Sequence, residues 1–454
     1  MQGEENGEPK LKKSMGPMYL FAMAAATIIG PWLVMTNWWL SLTGTSIALA
    51  FVLVGLMCIP IGLIYGELTG MFPQVGGSYV YTEKAFGKEA SYWTSWALML
   101  SYTAVLAFQL MALMDIIRYL WWPDMSIEIM MLLAALVAIG NFLLNTREVK
   151  LGASVQFVLF LMLAVVGFGY SLLFFTHPTF STSNWEPFFF TGESGFITAT
   201  ALMVTMFFGF EVIPQFAEEA NYPAKKHWKL MVGSILFAMV FYGIICLAEG
   251  GMGAIGDLVG IPMLGASIAN ELYGSWLMYL IALANVAALA TCLIGFWMGG
   301  SRMLLAMGRA RVLPKVFASI NKHNVPKTGN LVILGIVLMF IAMSGTAWLA
   351  SLFTLMAIGV GITYVVVCLA YIKFKRTAPD MERPWKVPGG MAMGILALVC
   401  AGIIAYFTFA YFTLDVWILF GVYFGIVGVM RVVLGRKKDD DDVEEIEPAN
   451  GGGA

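Results

Sequence analysis

The chain is built from long apolar runs that alternate with short polar segments. Twelve such runs can be recognised, each close to or above the roughly 20 residues that a helix needs to cross a bilayer. Their bounds are 17–40, 45–71, 89–120, 126–144, 150–176, 195–217, 229–252, 275–300, 329–344, 347–372, 390–411 and 413–434. The pattern predicts an all-α polytopic membrane protein with 12 transmembrane helices, here numbered spans 1 to 12. Only the short segment Ser344-Gly-Thr346 separates spans 9 and 10.

Spans 1 and 6 each contain a break. Span 1 includes Thr27-Ile-Ile-Gly-Pro-Trp32, and span 6 includes Phe207-Phe-Gly-Phe-Glu211. Because lipid offers no hydrogen bonds, unwound backbone is tolerated only where it is buried in protein or lines a cavity. Broken helices at corresponding places in two halves of a chain are typical of the substrate site of a transporter. We therefore expect spans 1 and 6 to be unwound at the membrane midplane.

Composition excludes a water-soluble enzyme. Apolar residues make up 60% of the 454 residues and charged residues only 12%, with a mean hydropathy of +0.81. A soluble domain carries about twice that fraction of charge. All five cysteines lie inside apolar runs, without the spacing of metal or redox sites, and are expected to be small buried hydrophobes.

The distribution of basic residues predicts the orientation. With the amino terminus inside, every Lys and Arg except Arg118 falls in a terminal segment or in an even-to-odd loop between spans. Such loops carry the positive charge on the cytoplasmic side of membrane proteins. We expect a multi-pass protein of a prokaryotic cell (inner) membrane with both termini cytoplasmic. Residues 1–16 form the amino-terminal tail, and the acidic residues 435–454 are expected to form a disordered tail.

Several sequence elements recur in the order and spacing of one transporter superfamily. They are Ile28-Ile-Gly30, Tyr65-Gly-Glu-Leu68 with Met71-Phe-Pro-Gln-Val-Gly-Gly-Ser-Tyr-Val-Tyr81 and Ala85-Phe-Gly87, Phe208-Gly-Phe-Glu211 with Glu218-Glu-Ala-Asn-Tyr-Pro223, Ser301-Arg302 with Ala306-Met307, Leu313-Pro314 and Pro326, and Arg383-Pro-Trp-Lys-Val-Pro388. In these elements the chain resembles the amino acid-polyamine-organocation permease superfamily, over almost its whole length.

The resemblance implies a leucine-transporter-type fold and secondary transport by alternating access. Spans 1–5 and 6–10 would form a 5+5 inverted repeat, over residues 17–176 and 177–372, with spans 11 and 12 appended over 373–434. The two breaks fall in the first span of each repeat, and five spans per repeat would orient those two spans oppositely. The implied substrate is a small amino acid or a related amine.

The break in span 1 supplies the first candidate substrate-binding residues, Ile28, Ile29, Gly30, Pro31 and Trp32. The superfamily usually has Gly-small-Gly here, with amides that hold a substrate carboxylate. Proline has no N–H to donate, and Trp32 crowds the backbone. An aromatic wall would suit an amine held by a cation–π contact, and Trp32 could equally pack against a neighbouring helix. A polyamine or organic amine therefore remains the alternative substrate.

Glu211 is the most specific single candidate, for both substrate binding and gating. An ionised carboxylate inside a span is costly, so it should be paired, hydrated or protonated. Glu67, Asp115, Glu249 and Asp415 lie near the ends of runs, where water is expected to reach them. Superfamily members with Gly-x-Glu at this step use the acid in proton-linked gating, which Gly209-Phe-Glu211 matches, although a structural hydrogen bond is the alternative. Phe207 and Phe208 are candidates for an aromatic lid, with Phe208 also assigned to gating.

Spacing relative to related transporters adds further lining positions and a candidate ion site. The lining positions are Ser95, Met99, Tyr102, Cys292 and Phe296. The resemblance places a sodium site at the carbonyls of Ala26, Ile29 and Ala287 and at positions 290 and 291. Ala290 and Thr291 retain a single hydroxyl there, and the position of a coupling lysine in span 5 corresponds to about Leu163. We therefore expect coupling to protons, or exchange, rather than to sodium.

Other functional classes fit less well. A channel would need rings of charged residues along a pore, and an intramembrane enzyme would need a catalytic or metal cluster. The three histidines lie in loops on opposite predicted sides of the membrane. We expect no enzymatic activity, no cofactor or metal beyond the coupling proton, no nucleic-acid partner, and contact with a small-molecule substrate and the lipid bilayer. A sensor of the same fold is the remaining alternative.

Overall fold

The computed structural model describes residue 11 and residues 13–147, 149–323, 325–410 and 413–444. Within these ranges every regular element is a helix, apart from two isolated β-bridges, Met15 to Ala220 and Ile320 to Pro326. The α-helices are α1 (Pro17–Ile28), α2 (Trp32–Thr43), α3 (Ile47–Met71), α4 (Ser78–Phe86), α5 (Lys88–Trp121), α6 (Ile127–Asn145), α7 (Val149–Phe175), α8 (Gly192–Met203), α9 (His227–Gly250), α10 (Ile255–Leu258), α11 (Leu264–Tyr273), α12 (Ser275–Arg309), α13 (Lys327–Ser344), α14 (Trp348–Thr377), α15 (Met391–Ala410) and α16 (Leu414–Glu444).

Eleven helical segments among the described residues are long and apolar enough to cross a membrane. The predicted class, an all-helical polytopic membrane protein, is confirmed at this level. Helix α1 is a shorter apolar helix, and α2 and α3 form one apolar segment joined through the 3-10 turn Gly44–Ser46. The short helices α4, α10 and α11, which connect longer helices, were not predicted from the apolar pattern because their sequences mix polar and apolar residues.

Three helices continue past the ends of the predicted runs. Helix α12 reaches Arg309 rather than residue 300, and α14 reaches Thr377 rather than 372. Arg302 looks like a loop residue by charge, but its guanidinium is paired inside the protein, so the helix continues through it. Helix α16 extends to Glu444, past the predicted boundary of the acidic tail at 435, through a charged stretch that contains neither proline nor glycine after Gly435. Residues 445–454, and 1–10 and 12 of the amino-terminal tail, lie outside the described ranges.

Packing places the two breaks at the centre of the molecule. Helix α1 lies against α7, α9 and α12, and α9 also runs along α3. Helix α5 packs between α12 and α14. After α8 the chain continues as two 3-10 segments, Val204–Phe207 and Phe210–Phe216, and the second contacts α1, α9 and α12. All five cysteines are free and buried, in agreement with the sequence prediction.

Two of the acidic residues expected near water are fully buried. Glu67 near the end of α3 and Glu249 near the end of α9 are both 0% exposed, so the prediction that water reaches them is wrong. Asp115 is half-buried and Asp415 is exposed. Distance from the end of an apolar run does not give burial, because neighbouring loops and short helices cover the helix ends. Gly265 of α11, for instance, lies directly over the Glu249 carboxylate.

Candidate functional site

The first break lies between α1 and α2, where Ile29, Gly30 and Pro31 leave the helical conformation. The Gly30 N–H donates to the hydroxyl of Tyr242 at 2.8 Å, and that hydroxyl donates to the Ile28 carbonyl at 2.9 Å. One side chain of α9 thus satisfies a donor and an acceptor that the break frees. Unpaired backbone groups would otherwise be costly in an apolar interior.

The second break is formed by Gly209, between the two 3-10 segments. Its φ of +131° lies in the region that favours glycine, so any other residue would be strained there. A Cβ atom on Gly209 would also lie 2.9 Å from the Ile28 nitrogen and 3.0 Å from the Thr27 carbonyl carbon. The structure therefore brings the predicted breaks of spans 1 and 6 into direct backbone contact.

Glu211 is fully buried beside this contact. Its Oε2 accepts hydrogen bonds from the Gly209 N–H at 2.8 Å and from the Tyr364 hydroxyl of α14 at 3.0 Å, while Oε1 has no partner. The Tyr102 hydroxyl lies beside the carboxylate without completing a hydrogen bond of ordinary geometry. Among the described residues no lysine or arginine pairs with Glu211. The carboxyl group is therefore held by neutral donors alone.

Helix α12 supplies donors to the carboxyl end of α1. The Thr291 hydroxyl lies 3.1 Å from the Ala26 carbonyl, and the Cys292 sulfur lies 3.1 Å from the Thr27 carbonyl and 3.2 Å from that of Ile29. Two of the three carbonyls assigned to the candidate sodium site, those of Ala26 and Ile29, thus lie within hydrogen-bonding distance of protein donors. Ala287 and Ala290 lie in the same helix and offer no side-chain ligand.

Gln156 of α7 is the polar side chain that reaches this position. Its amide nitrogen lies 3.1 Å from the Thr291 carbonyl and 3.4 Å from the Thr27 hydroxyl. Leu163 is the position at which the resemblance places a coupling lysine. It is buried two helical turns further along the same helix. A neutral amide thus contacts the groups where a coupling lysine or ion was considered.

The predicted aromatic residues Trp32, Phe207 and Phe208 each pack against a different neighbour. Trp32 is fully buried and packs edge-on against Phe241 at 5.2 Å between ring centres, a contact that suits the packing alternative. Phe208 lies edge-on to Tyr364 at 6.0 Å, next to Glu211, whereas Phe207 packs with Phe51 of α3.

Only some of the predicted lining residues of α5 and α12 contact each other. Tyr102 and Phe296 are 5.0 Å apart between ring centres. Met99 lies over Gly300, and the Ser95 hydroxyl is buried without a partner. Tyr242, Tyr364 and Gln156 were missed by sequence reasoning. The only available signal was a polar group inside an apolar run, which the chain's 17 tyrosines make unselective.

The end of the molecule that carries the basic loops contains one buried and one partly buried ion pair. Arg302 donates to both carboxylate oxygens of Glu219, at 2.7 and 3.1 Å, and its guanidinium lies over the Phe216 ring. Arg309 donates to Glu218, whose Oε1 also accepts the Val75 N–H. A cavity of about 1160 Å³ lies at this end, lined by residues that include Lys84, Lys88 and Glu218. Glu218 and Arg309 of the second pair line this cavity themselves.

Similarity to known proteins extends along nearly the whole chain. The family model described as amino acid permease matches residues 16–430. The branched-chain amino acid permease BcaP of Bacillus subtilis is 23% identical over 92% of this chain and 93% of its own length. The aspartate-proton symporter of Bacillus subtilis is 23% identical over 87% of this chain and 79% of its own. The methylthioribose transporter of the same organism is 24% identical over 91% and 93%.

These relatives are transporters rather than enzymes, and they differ in what their names say they carry. The motifs that suggested the resemblance all lie within the matched residues. Because the family model covers far more than half of the chain, the protein belongs to the amino acid permease family, within the amino acid-polyamine-organocation superfamily of membrane transporters.

Proposed function

We propose that this protein is a secondary active transporter that moves a small amino acid across a membrane by alternating access, linked to protons or to exchange. The observation that carries the proposal is the backbone contact between the two breaks, with the Glu211 carboxyl group bonded to the Gly209 N–H beside it. Two relatives with amino acids in their names, a branched-chain permease and an aspartate-proton symporter, support the substrate class.

The proposed topology has 12 spans in a 5+5 inverted repeat with two appended helices. Span 1 consists of α1 and α2, and span 6 of α8 with its two 3-10 segments. Both would be unwound at the midplane, where Gly209 of span 6 meets the backbone of Thr27 and Ile28 in span 1. The concentration of basic residues on one set of loops supports cytoplasmic termini and a cytoplasmic position for the Arg302–Glu219 pair.

The Gly30 N–H is the group proposed to bind the carboxylate of the substrate. Within the break, the Ile29 N–H bonds to Ala25, the Trp32 N–H bonds to the Gly30 carbonyl, and Pro31 has none. The Gly30 N–H is therefore the amide that a ligand can reach, by displacing the neutral hydroxyl of Tyr242. A carboxylate oxygen accepts a stronger, charge-assisted hydrogen bond from such an N–H than a phenol does. Displaced Tyr242 would then be free to donate to the substrate.

Glu211 is proposed to carry the coupling proton. In the ionised form its Oε2 accepts from both Gly209 and Tyr364. Protonation weakens these bonds and releases the Gly209 N–H, a second amide within reach of the same site. Proton binding and carboxylate binding would thereby favour the same rearrangement of the 3-10 segments. Exchange without a coupling ion would use the same site with Glu211 remaining protonated.

An organic amine is the second candidate substrate. The unpartnered Oε1 of Glu211 favours it, because a substrate ammonium would supply the missing partner and the missing positive charge. In that case Glu211 binds substrate directly rather than acting through Gly209.

Uptake by purified protein in proteoliposomes tests the proposal. Radiolabelled L-leucine, L-aspartate, L-arginine and putrescine are offered with an inward proton gradient, an inward sodium gradient, or internal unlabelled substrate. We expect uptake of at least one amino acid, increased by protons or counter-substrate and unaffected by sodium. Strict dependence on sodium would contradict the proposed coupling. Specific binding without uptake or exchange under any condition would identify a sensor instead.

A further inference from the structure

A second buried carboxyl group, Glu249, lies on the same face of α9 as Tyr242. The two residues are seven positions apart, which is two helical turns, or about 10 Å along the helix. Tyr242 holds the break between α1 and α2, while Glu249 faces the first turns of α2. Glu249 is thus displaced from the break along α9, towards the end of the helix that ends at Gly250.

The surroundings of Glu249 are polar but uncharged. The Tyr170 hydroxyl of α7 donates to its Oε1 at 2.8 Å, and the Thr36 hydroxyl of α2 lies beside the carboxyl group. Its Oε2 has no partner. The titratable groups that face it are Tyr170 and Cys246, and Gly265 of α11 packs over its Oε1. Among the described residues no lysine or arginine pairs with it.

A fully buried carboxylate without a cation is costly in an apolar interior, whereas the neutral acid is not. The observed arrangement, with one oxygen accepting a hydrogen bond and the other unpartnered, therefore suits a carboxyl group that holds a proton. Ionisation would require water or another donor at Oε2, and hence a displacement of the helices that cover it.

The helices that cover Glu249 are connected to the break. Trp32 begins α2 immediately after the break, and its indole N–H lies beside the Tyr170 hydroxyl. Thr36, one turn later, donates to the Trp32 carbonyl at 2.6 Å. Gly265 leaves room for Oε1 of Glu249 where any side chain would overlap it. A movement of α2 away from α7 and α11 would open the break and expose Glu249 together.

We propose that Glu249 is a second proton-binding carboxyl group of the transport cycle, protonated when α2 packs against α7 and α11 and ionised when α2 moves away. This proposal rests on the transport function proposed above. Glu211 lies next to Gly209 at the contact of the two breaks. Glu249 lies two helical turns from Tyr242 along α9, beside α2. The two acids would therefore bind protons at separate places.

Infrared difference spectra of the purified protein between acidic and basic pH test this without any substrate. We expect two pH-dependent bands from protonated carboxyl groups in the wild type. Glu249→Gln should remove one and Glu211→Gln the other, and Tyr170→Phe should shift only the Glu249 band because it removes the donor to that group. A Glu249→Gln spectrum identical to the wild type at every pH would overturn the proposal.

The combination of Tyr170→Phe with Glu211→Gln keeps the test decisive if Glu249→Gln fails to fold. The single remaining pH-dependent band must then shift, and an unshifted band overturns the assignment.

In proteoliposomes, Glu249→Gln should lower the steady-state accumulation driven by a pH difference of about one unit by about tenfold, because one coupled proton contributes that factor. Exchange should persist. If the wild type transports none of the compounds tested, the transport function fails, while the infrared result still decides whether Glu249 binds a proton.

Discussion

The buried carboxyl groups at the basic end of this protein and the one at the contact of the two breaks have opposite chemistry. At the end with the basic loops, Glu219 is paired with Arg302, and Glu67 with Lys375 and Arg383, at 2.7 to 3.1 Å. In the centre, Glu211 is bonded only to an N–H and a hydroxyl. A carboxylate paired with a buried cation holds two elements together, and removing either partner is costly. A carboxyl group with neutral donors alone can gain or lose a proton, which makes the central region suited to coupling.

Loss of the cation at the basic end should have the largest effect. Arg302→Met leaves Glu219 buried without its partner, and breaking such a pair costs about 3–5 kcal/mol. We expect a large loss of thermal stability in detergent. Arg302→Met combined with Glu219→Leu removes both charges and should recover most of that loss. Equal stabilities for the single and double variants would show that the pair is not a buried charge pair.

Gly209→Ala should have the next largest effect, and in the central region. The methyl group would lie 2.9 Å from the Ile28 nitrogen, at a φ of +131°, so the contact between the breaks must open. Backbone strain of this kind costs about 1–3 kcal/mol. We expect a moderate loss of stability together with loss of uptake. Gly335→Ala, where nothing lies within 4 Å of the added atom, is the matched control and should retain uptake.

Tyr364→Phe should have the smallest effect, and its size reports the charge of Glu211. A hydrogen bond to a charged group contributes about 1.5–3 kcal/mol, and one between neutral groups about 1 kcal/mol. If Glu211 is protonated at acidic pH, the variant should lose little stability there and more at basic pH. Thermal unfolding at several pH values measures the difference. A loss that is independent of pH would contradict a titrating Glu211.

The helical architecture could be predicted largely from the sequence. Long apolar runs determine which segments can cross a membrane, and Gly30 and Gly209 mark the breaks. At Gly209 the positive φ and the close backbone of Ile28 leave no room for a side chain. The class of the protein and the involvement of both breaks follow from such local patterns. The ends of α12 and α14 could not be predicted, because Arg302 and Lys375 are charged residues whose partners lie far away in the sequence.

The residues that bond to the two breaks could largely not be predicted, for the same reason. Tyr242, Tyr364 and Gln156 act on the breaks from three other helices, and nothing in their local sequence distinguishes them from other polar residues in apolar runs. Burial of Glu249 depends on α11, whose mixed composition gave no apolar run. A hydrophobic pattern shows which faces are buried, but it does not show which distant side chain meets an unpaired backbone group.

Proton-linked uptake by Glu211→Gln tests the central claim most directly. The variant keeps the size and the hydrogen-bond acceptor of the side chain but cannot ionise. The account predicts that it binds the transported amino acid about as well as the wild type while its uptake loses the part of the pH dependence that Glu211 carries. Uptake and binding that both match the wild type, with an unchanged pH profile, would contradict it and leave Glu211 as a structural hydrogen-bond partner of Gly209 and Tyr364.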